Sequence, residues 1–223
     1  MALNKLKFNS LNVTPTAGKT VGFNSSANGL EATISGGSMT FIKKLTASSS
    51  ATLSFVDGSS DVVLDNTYKE YMFIFNNMHP ATDGVNFTFQ CSTDSGSNYN
   101  TTITSTAFQA YHREDGGDTI FQYNTSVDKA QATDFIRLHS GAQLGDGADE
   151  SLSGYLHLFN PSSTTFVKHW TAVSNLHDSN STAYSVNSFL AGYFNTTSAI
   201  DAIQFKMDSG NIDAGTITLY GIN

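Results

Sequence analysis

Cysteine is nearly absent from this sequence. Cys91 is the only one in 223 residues, so no intrachain disulfide can form. The cross-linked plan of small secreted domains is therefore excluded. Charge is scarce as well: 13% of the residues are charged, against roughly 25% in ordinary globular proteins. Basic residues are the scarcer sign, eleven against nineteen acidic, for a net charge of −8. An acidic surface repels phosphate, and the longest basic run is Lys43-Lys44. Nucleic acid is thus not an expected partner. Long hydrophobic runs are missing too. The opening Met1-Ala2-Leu3-Asn4-Lys5-Leu6-Lys7-Phe8 reads neither as a signal peptide nor as a membrane span, and no membrane insertion is expected.

Ser, Thr, Asn and Gly fill the space that charge leaves. They suit turns and polar sheet faces and are poor in helix interiors. Sixteen Phe and nine Tyr against one Trp also favour strands. Residues 1–38 stand apart: they are polar and Gly-rich, with only Leu30, Ala32 and Ile34 alternating like a short strand. They read as an extended N-terminal arm or linker, or else as the first edge strand of the domain that follows.

From residue 39 onward strand and turn signals alternate. Residues 39–45 and 52–56 are strand candidates, the second ending at the turn pair Asp57-Gly58. Val62-Val63-Leu64 is a short candidate. Tyr71-Met72-Phe73-Ile74-Phe75 is apolar on both faces and predicts a central strand covered on both sides. The stretch 76–84, with Asn76, Pro80 and Asp83-Gly84, is expected to break it. Val85, Phe87, Phe89 and Cys91 then share one face of a strictly alternating strand, so Cys91 reads as a core residue. Further candidates are 101–111, 119–123 and 135–138, while 126–134 is the best place for a helical turn. Residues 155–159 and 165–170 flank Asn160-Pro161 and predict a hairpin. Residues 186–194, 203–207 and 217–222 complete the set. About ten strands with no fixed repeat predict an all-β fold over residues 39–223, a two-sheet antiparallel sandwich of jelly-roll-like type.

Chemistry is sparse. No Gly-x-Ser-x-Gly elbow and no phosphate-binding loop occurs. The six histidines show no i, i+4 pair; His157 and His169, on the two arms of the predicted hairpin, could face each other across it. Glu70, beside an apolar run, comes nearest to a carboxyl with a raised pKa, although a strand-edge charge is the simpler reading. No enzyme activity and no cofactor are expected. Two facing imidazoles with a carboxylate would suit a metal, but structural calcium is the more serious option, since hard oxygens gather in three loops: Asp57, Asp61 and Asp65; Glu114, Asp115 and Asp118; and Asp146, Asp149 and Glu150. Flat rings also stack on sugars, and Trp170, Tyr99 and Tyr111, with Tyr123 and Tyr184, are candidates for such a platform. For Trp170, the single Trp beside His169, core filler is the simpler reading.

The runs Leu45-Thr46-Ala47-Ser48-Ser49-Ser50-Ala51-Thr52-Leu53-Ser54-Phe55, Asn77-Met78-His79-Pro80-Ala81-Thr82-Asp83 and Ser92-Thr93-Asp94-Ser95-Gly96-Ser97-Asn98-Tyr99 carry a resemblance. So do Leu158-Phe159-Asn160-Pro161-Ser162-Ser163 and the closing Gly215-Thr216-Ile217-Thr218-Leu219-Tyr220-Gly221-Ile222. Together, over roughly residues 46–222, the chain resembles a family of virion proteins of tailed phages that infect marine bacteria. The resemblance implies a tail-fibre, head-fibre or capsid-decoration role. It implies assembly with other virion proteins, commonly as a trimer, after folding in the host cytoplasm. It assigns no catalytic residue. Adhesion to the host surface follows from such a role, and a carbohydrate-binding module for a host polysaccharide is the alternative.

Overall fold

A computed structural model describes residues 20–23, 26, 28–33, 38–179 and 183–223. The chain divides into two compact units, Met1–Ser38 and Met39–Asn223. In the first, β1 (Thr20–Phe23) and β2 (Leu30–Thr33) pair antiparallel. Leu30 and Ala32 fall in β2, and Ile34 lies outside the described residues. The pair is a sheet of its own rather than the first edge of the main domain.

That edge is β3 (Met39–Thr46). There follow β4 (Leu53–Val56), β5 (Glu70–Pro80), β6 (Phe87–Ser92), β7 (Ile103–Arg113), β8 (Thr119–Tyr123) and β9 (Ile136–Arg137). The chain closes with β10 (Leu152–Phe159), β11 (Lys168–His177), β12 (Tyr184–Phe194), β13 (Ala202–Met207) and β14 (Ile212–Ile222). These form an eight-stranded sheet, β3-β14-β5-β10-β11-β12-β7-β8, and a four-stranded sheet, β4-β13-β6-β9. The fold is an all-β antiparallel sandwich. Without β7, β8, β11 and β12, two four-stranded sheets remain, β3-β14-β5-β10 and β4-β13-β6-β9. From β3 to β6 the chain changes sheet at each step; it returns through β9 and β10, then β13 and β14. That double crossing is the jelly-roll path. The four other strands are insertions that widen one sheet beyond its partner.

Several local expectations are corrected. The helical turn at 126–134 does not form. Its backbone is committed to β7 instead: Ile103 and Ala132 exchange both backbone bonds at 2.7 and 3.0 Å, and Lys129 N–H donates to Ser105 Oγ at 3.0 Å. Groups engaged sideways cannot also close helical bonds. The break after Phe75 does not occur either. β5 runs on to Pro80 because a bulge at Asn77 (φ 50°) absorbs the irregularity. Gly215 faces that bulge at φ 117°, where a Cβ would lie 2.6 Å from the Asn77 carbonyl. Pro80 is tolerated as the last residue of the strand. β5 is central as expected, but within 71–75 Tyr71, Phe73 and Phe75 are buried while Met72 and Ile74 are half-buried on the outer face. Val62 and Leu64 are buried in a loop, not a strand, with Leu64 N–H held by Asp57 Oδ1 at 2.8 Å.

The core is aromatic where the two sheets meet. Phe205 of β13 lies within 5.3–6.3 Å, centroid to centroid, of Phe55, Phe73, Phe75, Phe87 and Phe89. Phe73 and Phe75 come from the large sheet and the other four rings from the small one. Phe55 and Phe75 meet it edge-to-face, Phe87 and Phe89 stack on it at 19° and 26°, and Phe73 is tilted between the two; edge-to-face and offset stacking are the arrangements the ring quadrupole favours. Phe205 is fully buried. Phe205→Ala should therefore lower stability by about 3–5 kcal/mol. Phe166→Ala, at a ring 69% exposed, should cost about 0.5 kcal/mol or less. Urea unfolding of both variants checks the contrast, and equal costs would remove Phe205 from the centre of the core.

Candidate functional site

The widened part of the large sheet carries the features that packing alone does not account for. Near one end of β11, β12 and β7 the inward residues are mainly apolar: Trp170, Ala172, Leu190, Phe194, Ile103 and Ala107 are buried, with Lys168 and Ser105 among them. Phe89 of the small sheet reaches Trp170 and Phe194, at 5.0 and 6.1 Å. Toward the other end the inward residues turn polar, to Ser174, Ser188 and Gln109. There residues 138–142, not a strand, lie on the sheet. Ser174 Oγ donates to the Leu138 carbonyl at 2.6 Å, and Ser140 N–H donates to Ser188 Oγ at 2.9 Å.

A cleft of about 220 Å³ opens between that segment and the sheet, lined by Gln109, Tyr111, Gly141, Asp178 and Tyr184 among others. Tyr111 and Tyr184 stand edge-to-face, 5.1 Å apart at 84°. Asp178 Oδ1 accepts from Tyr184 N–H at 3.0 Å. Gly141 has φ +77°, and any Cβ there would strike the Gln109 carboxamide. Gln109 is 2% exposed, its Oε1 is sealed from solvent, and its side chain makes no hydrogen bond among the described residues.

His139 lies under the same segment, fully buried, with Nε2 accepting from Phe87 N–H at 3.2 Å. Burial first, then the charge of Arg137, pushes its pKa down to about 3; the Ala142 backbone and Asp208 oppose the shift. The folded protein thus holds a neutral imidazole. Below pH 6.5, the ordinary histidine value, the unfolded chain takes up a proton that the folded chain refuses. This contribution is complete above pH 6.5 and is lost as pH falls toward 3. It should amount to about 2 kcal/mol between pH 7 and pH 5. Urea midpoints at the two pH values should show that drop in the wild type and a flatter response in His139→Gln. An equal drop in both would assign the effect to other groups.

The residues expected from the sequence to bind ligands are distributed unevenly. Trp170 is 1% exposed and packed edge-on against Phe89, so it offers no open face to a sugar and belongs to the core. Tyr111 lines the cleft just described, and Tyr184 joins it. Tyr99 lines a different, wider cleft of about 570 Å³ with Arg137 and Lys206. Those two cations flank Thr88 in register across β13, β6 and β9, and Lys206 Nζ sits 4.3 Å from the centroid of the Phe135 ring.

Asp146, Asp149 and Glu150 border one open cleft together with His79 and Asp213. Glu150 Oε2 accepts from Gly147 N–H at 2.8 Å, and His79 Nδ1 lies 3.8 Å from Asp213. In the other acidic loops the carboxylates serve their own turns. Asp65 Oδ1 accepts from Thr67 N–H, and Asp115 takes both Arg113 and Gly117 N–H. No group of three or more His, Cys, Asp or Glu side chains is gathered as metal ligands among the described residues. His157 and His169 do not pair. His157 Nε2 lies 3.0 Å from Glu70 Oε2, without hydrogen-bond alignment, and His169 packs on Tyr193. Burial pushes the Cys91 thiol well up, which keeps it protonated and unreactive.

Gln109 was missed by sequence reasoning. The signal was the alternation Ile103, Ser105, Ala107, Gln109, Tyr111, which sets a large amide on an inward face.

One row of residues across the outer face of the widened sheet is apolar. Tyr123, Phe108, Phe189, Val173, Tyr155 and Ile74 stand opposite one another in register across β8, β7, β12, β11, β10 and β5. Phe108 and Phe189 stack 5.0 Å apart at 9°, and Phe121, 73% exposed, meets Phe108 at 5.6 Å. No family model matches the chain, and neither the curated proteins nor the solved structures contain a significant match.

Proposed function

We propose that the chain is a surface-exposed structural protein of a phage virion, a fibre or capsid-decoration component that acts in assembly and host-surface adhesion as a homo-oligomer. The row from Tyr123 to Ile74 carries the assembly part of this reading. Six register-matched residues, at about 4.8 Å per strand, make an apolar band some 24 Å wide. Monomeric soluble proteins seldom leave such a band open, and its usual occupant is a protein partner. The resemblance to tailed-phage virion proteins supplies the context: other virion proteins as partners, a trimer as the form, and assembly in the host cytoplasm. The jelly-roll path is compatible with that role without identifying it, because one fold serves many functions. The reading is one of binding, and it assigns no catalytic residue.

Sedimentation of the purified chain should show a trimer. Phe108→Ser combined with Phe121→Ser should give a monomer whose unfolding midpoint is little changed, since both rings are exposed. A monomeric wild type would overturn the assembly reading. Gold-tagged antibody on intact particles should decorate capsid or tail, and the absence of label would overturn the virion reading.

A further inference from the structure

We propose that the cleft between β7, β12 and residues 138–142 binds one neutral sugar unit, with Gln109 as its polar anchor and the Tyr111–Tyr184 pair as its apolar wall. The inference goes beyond the assembly reading and stands without it, since the cleft opens on the inner side of the sheet that carries the aromatic row on its outer side.

Buried amides are nearly always hydrogen-bonded, because an unmet donor or acceptor away from water costs free energy. Gln109 is an exception that the surroundings preserve. Its carboxamide lies across Gly141, whose left-handed backbone brings the chain within contact, and no described residue satisfies it. Leucine would fill the same space at no such cost. An amide kept without a partner at the wall of a cleft fits a ligand that supplies one. Oε1 is sealed from solvent, so the amide nitrogen is the atom a ligand in the cleft meets, and its N–H donates to a sugar hydroxyl.

The rest of the wall narrows the class. Two tyrosine rings at 84° give one face and one edge to C–H groups, which suits the alternating apolar and polar faces of a pyranose. Asp178, whose Oδ1 accepts from Tyr184 N–H, borders the cleft, and its negative charge repels an acidic sugar in an already acidic chain. The volume of about 220 Å³ lies under the ~300–1,000 Å³ of drug-sized sites. It holds one ring, not a chain of rings. The sugar is then either a free monosaccharide or the terminal residue of a glycan.

The test is ligand-observed saturation-transfer NMR on the full chain. The probes are glucose, galactose, mannose and N-acetylglucosamine, with glucuronic acid as the charged control. At least one neutral sugar should show transfer and glucuronic acid should not. Gln109→Leu should weaken that binding by about tenfold or more while leaving the unfolding midpoint equal or higher. Tyr184→Leu should weaken it as well. Comparison of the free sugar with an oligosaccharide ending in it separates the two sources: tighter binding of the oligosaccharide means a glycan terminus, and equal or weaker binding means the free sugar. No transfer from any neutral probe, transfer undiminished in both variants, or equal binding of glucuronic acid would each overturn the proposal. The outcome is distinguishable from failure of the assembly reading, which is judged by sedimentation alone.

Discussion

One ring sits where the two sheets share their weight. Phe205 touches five other phenylalanines, three on its own sheet and two on the facing one. Interiors are packed to crystal-like density, so a cluster of this kind fixes both the spacing of the sheets and the register of the strands that supply it. Phe73 and Phe75 are alternate residues of β5, and Phe87 and Phe89 are alternate residues of β6. A slip of one residue in either strand would turn its rings outward and empty the centre. The jelly-roll path serves the same contact, because the crossings into β4, β5, β6 and β13 each bring a phenylalanine to it.

The cluster has a limited reach, and the rest of the domain reflects that limit. The small sheet has four strands and the large one eight. Phe89 extends the aromatic contact to Trp170 and Phe194. Beyond it the inserted strands have no second sheet to face. Their inner residues become Ser174, Ser188 and Gln109, and a loop replaces a strand as the cover. A loop cannot tile a pleated face as a sheet does. The cleft at Gln109 and Gly141 is the space this mismatch leaves.

This division explains what was legible in the sequence. The strands around the cluster announce themselves by alternation: 85–91, 203–207 and 217–222 all fall in or against real strands, and the hairpin of β10 and β11 forms as its turn residues indicate. The errors lie where a side chain or a bulge takes over the work of the backbone. Asn77 and Gly215 carry β5 past residues that look like a break. Asp57 holds Leu64 in a loop that looks like a strand. The Ser126 region looks helical by composition, but Ser105 and Ile103 claim its backbone. Trp170, a platform candidate for which the core is the simpler reading, is turned inward by its register with Leu158. Tyr111 and Tyr184 were visible as aromatics, whereas their meeting depends on the pairing of β7 with β12, which no local pattern encodes.

The two candidate surfaces are not independent accidents, because the pleat assigns both from the same strands. In β7, Phe108 points outward and Gln109 inward; in β12, Phe189 points outward and Ser188 inward. Phe108 pairs with Phe189 and Gln109 with Ser188, so neighbouring rungs of one ladder build the apolar row and the polar wall. A copy of the chain seated on the outer row would bury Phe108 and Phe189 and leave the inner cleft open, as the period of two requires. The same period forbids tuning the surfaces by sliding the strands. A shift of β12 against β7 by one residue would bury Phe189 under residues 138–142 and expose Ser188 on the row. Association and ligand binding would then fail together, although no residue of either surface had changed.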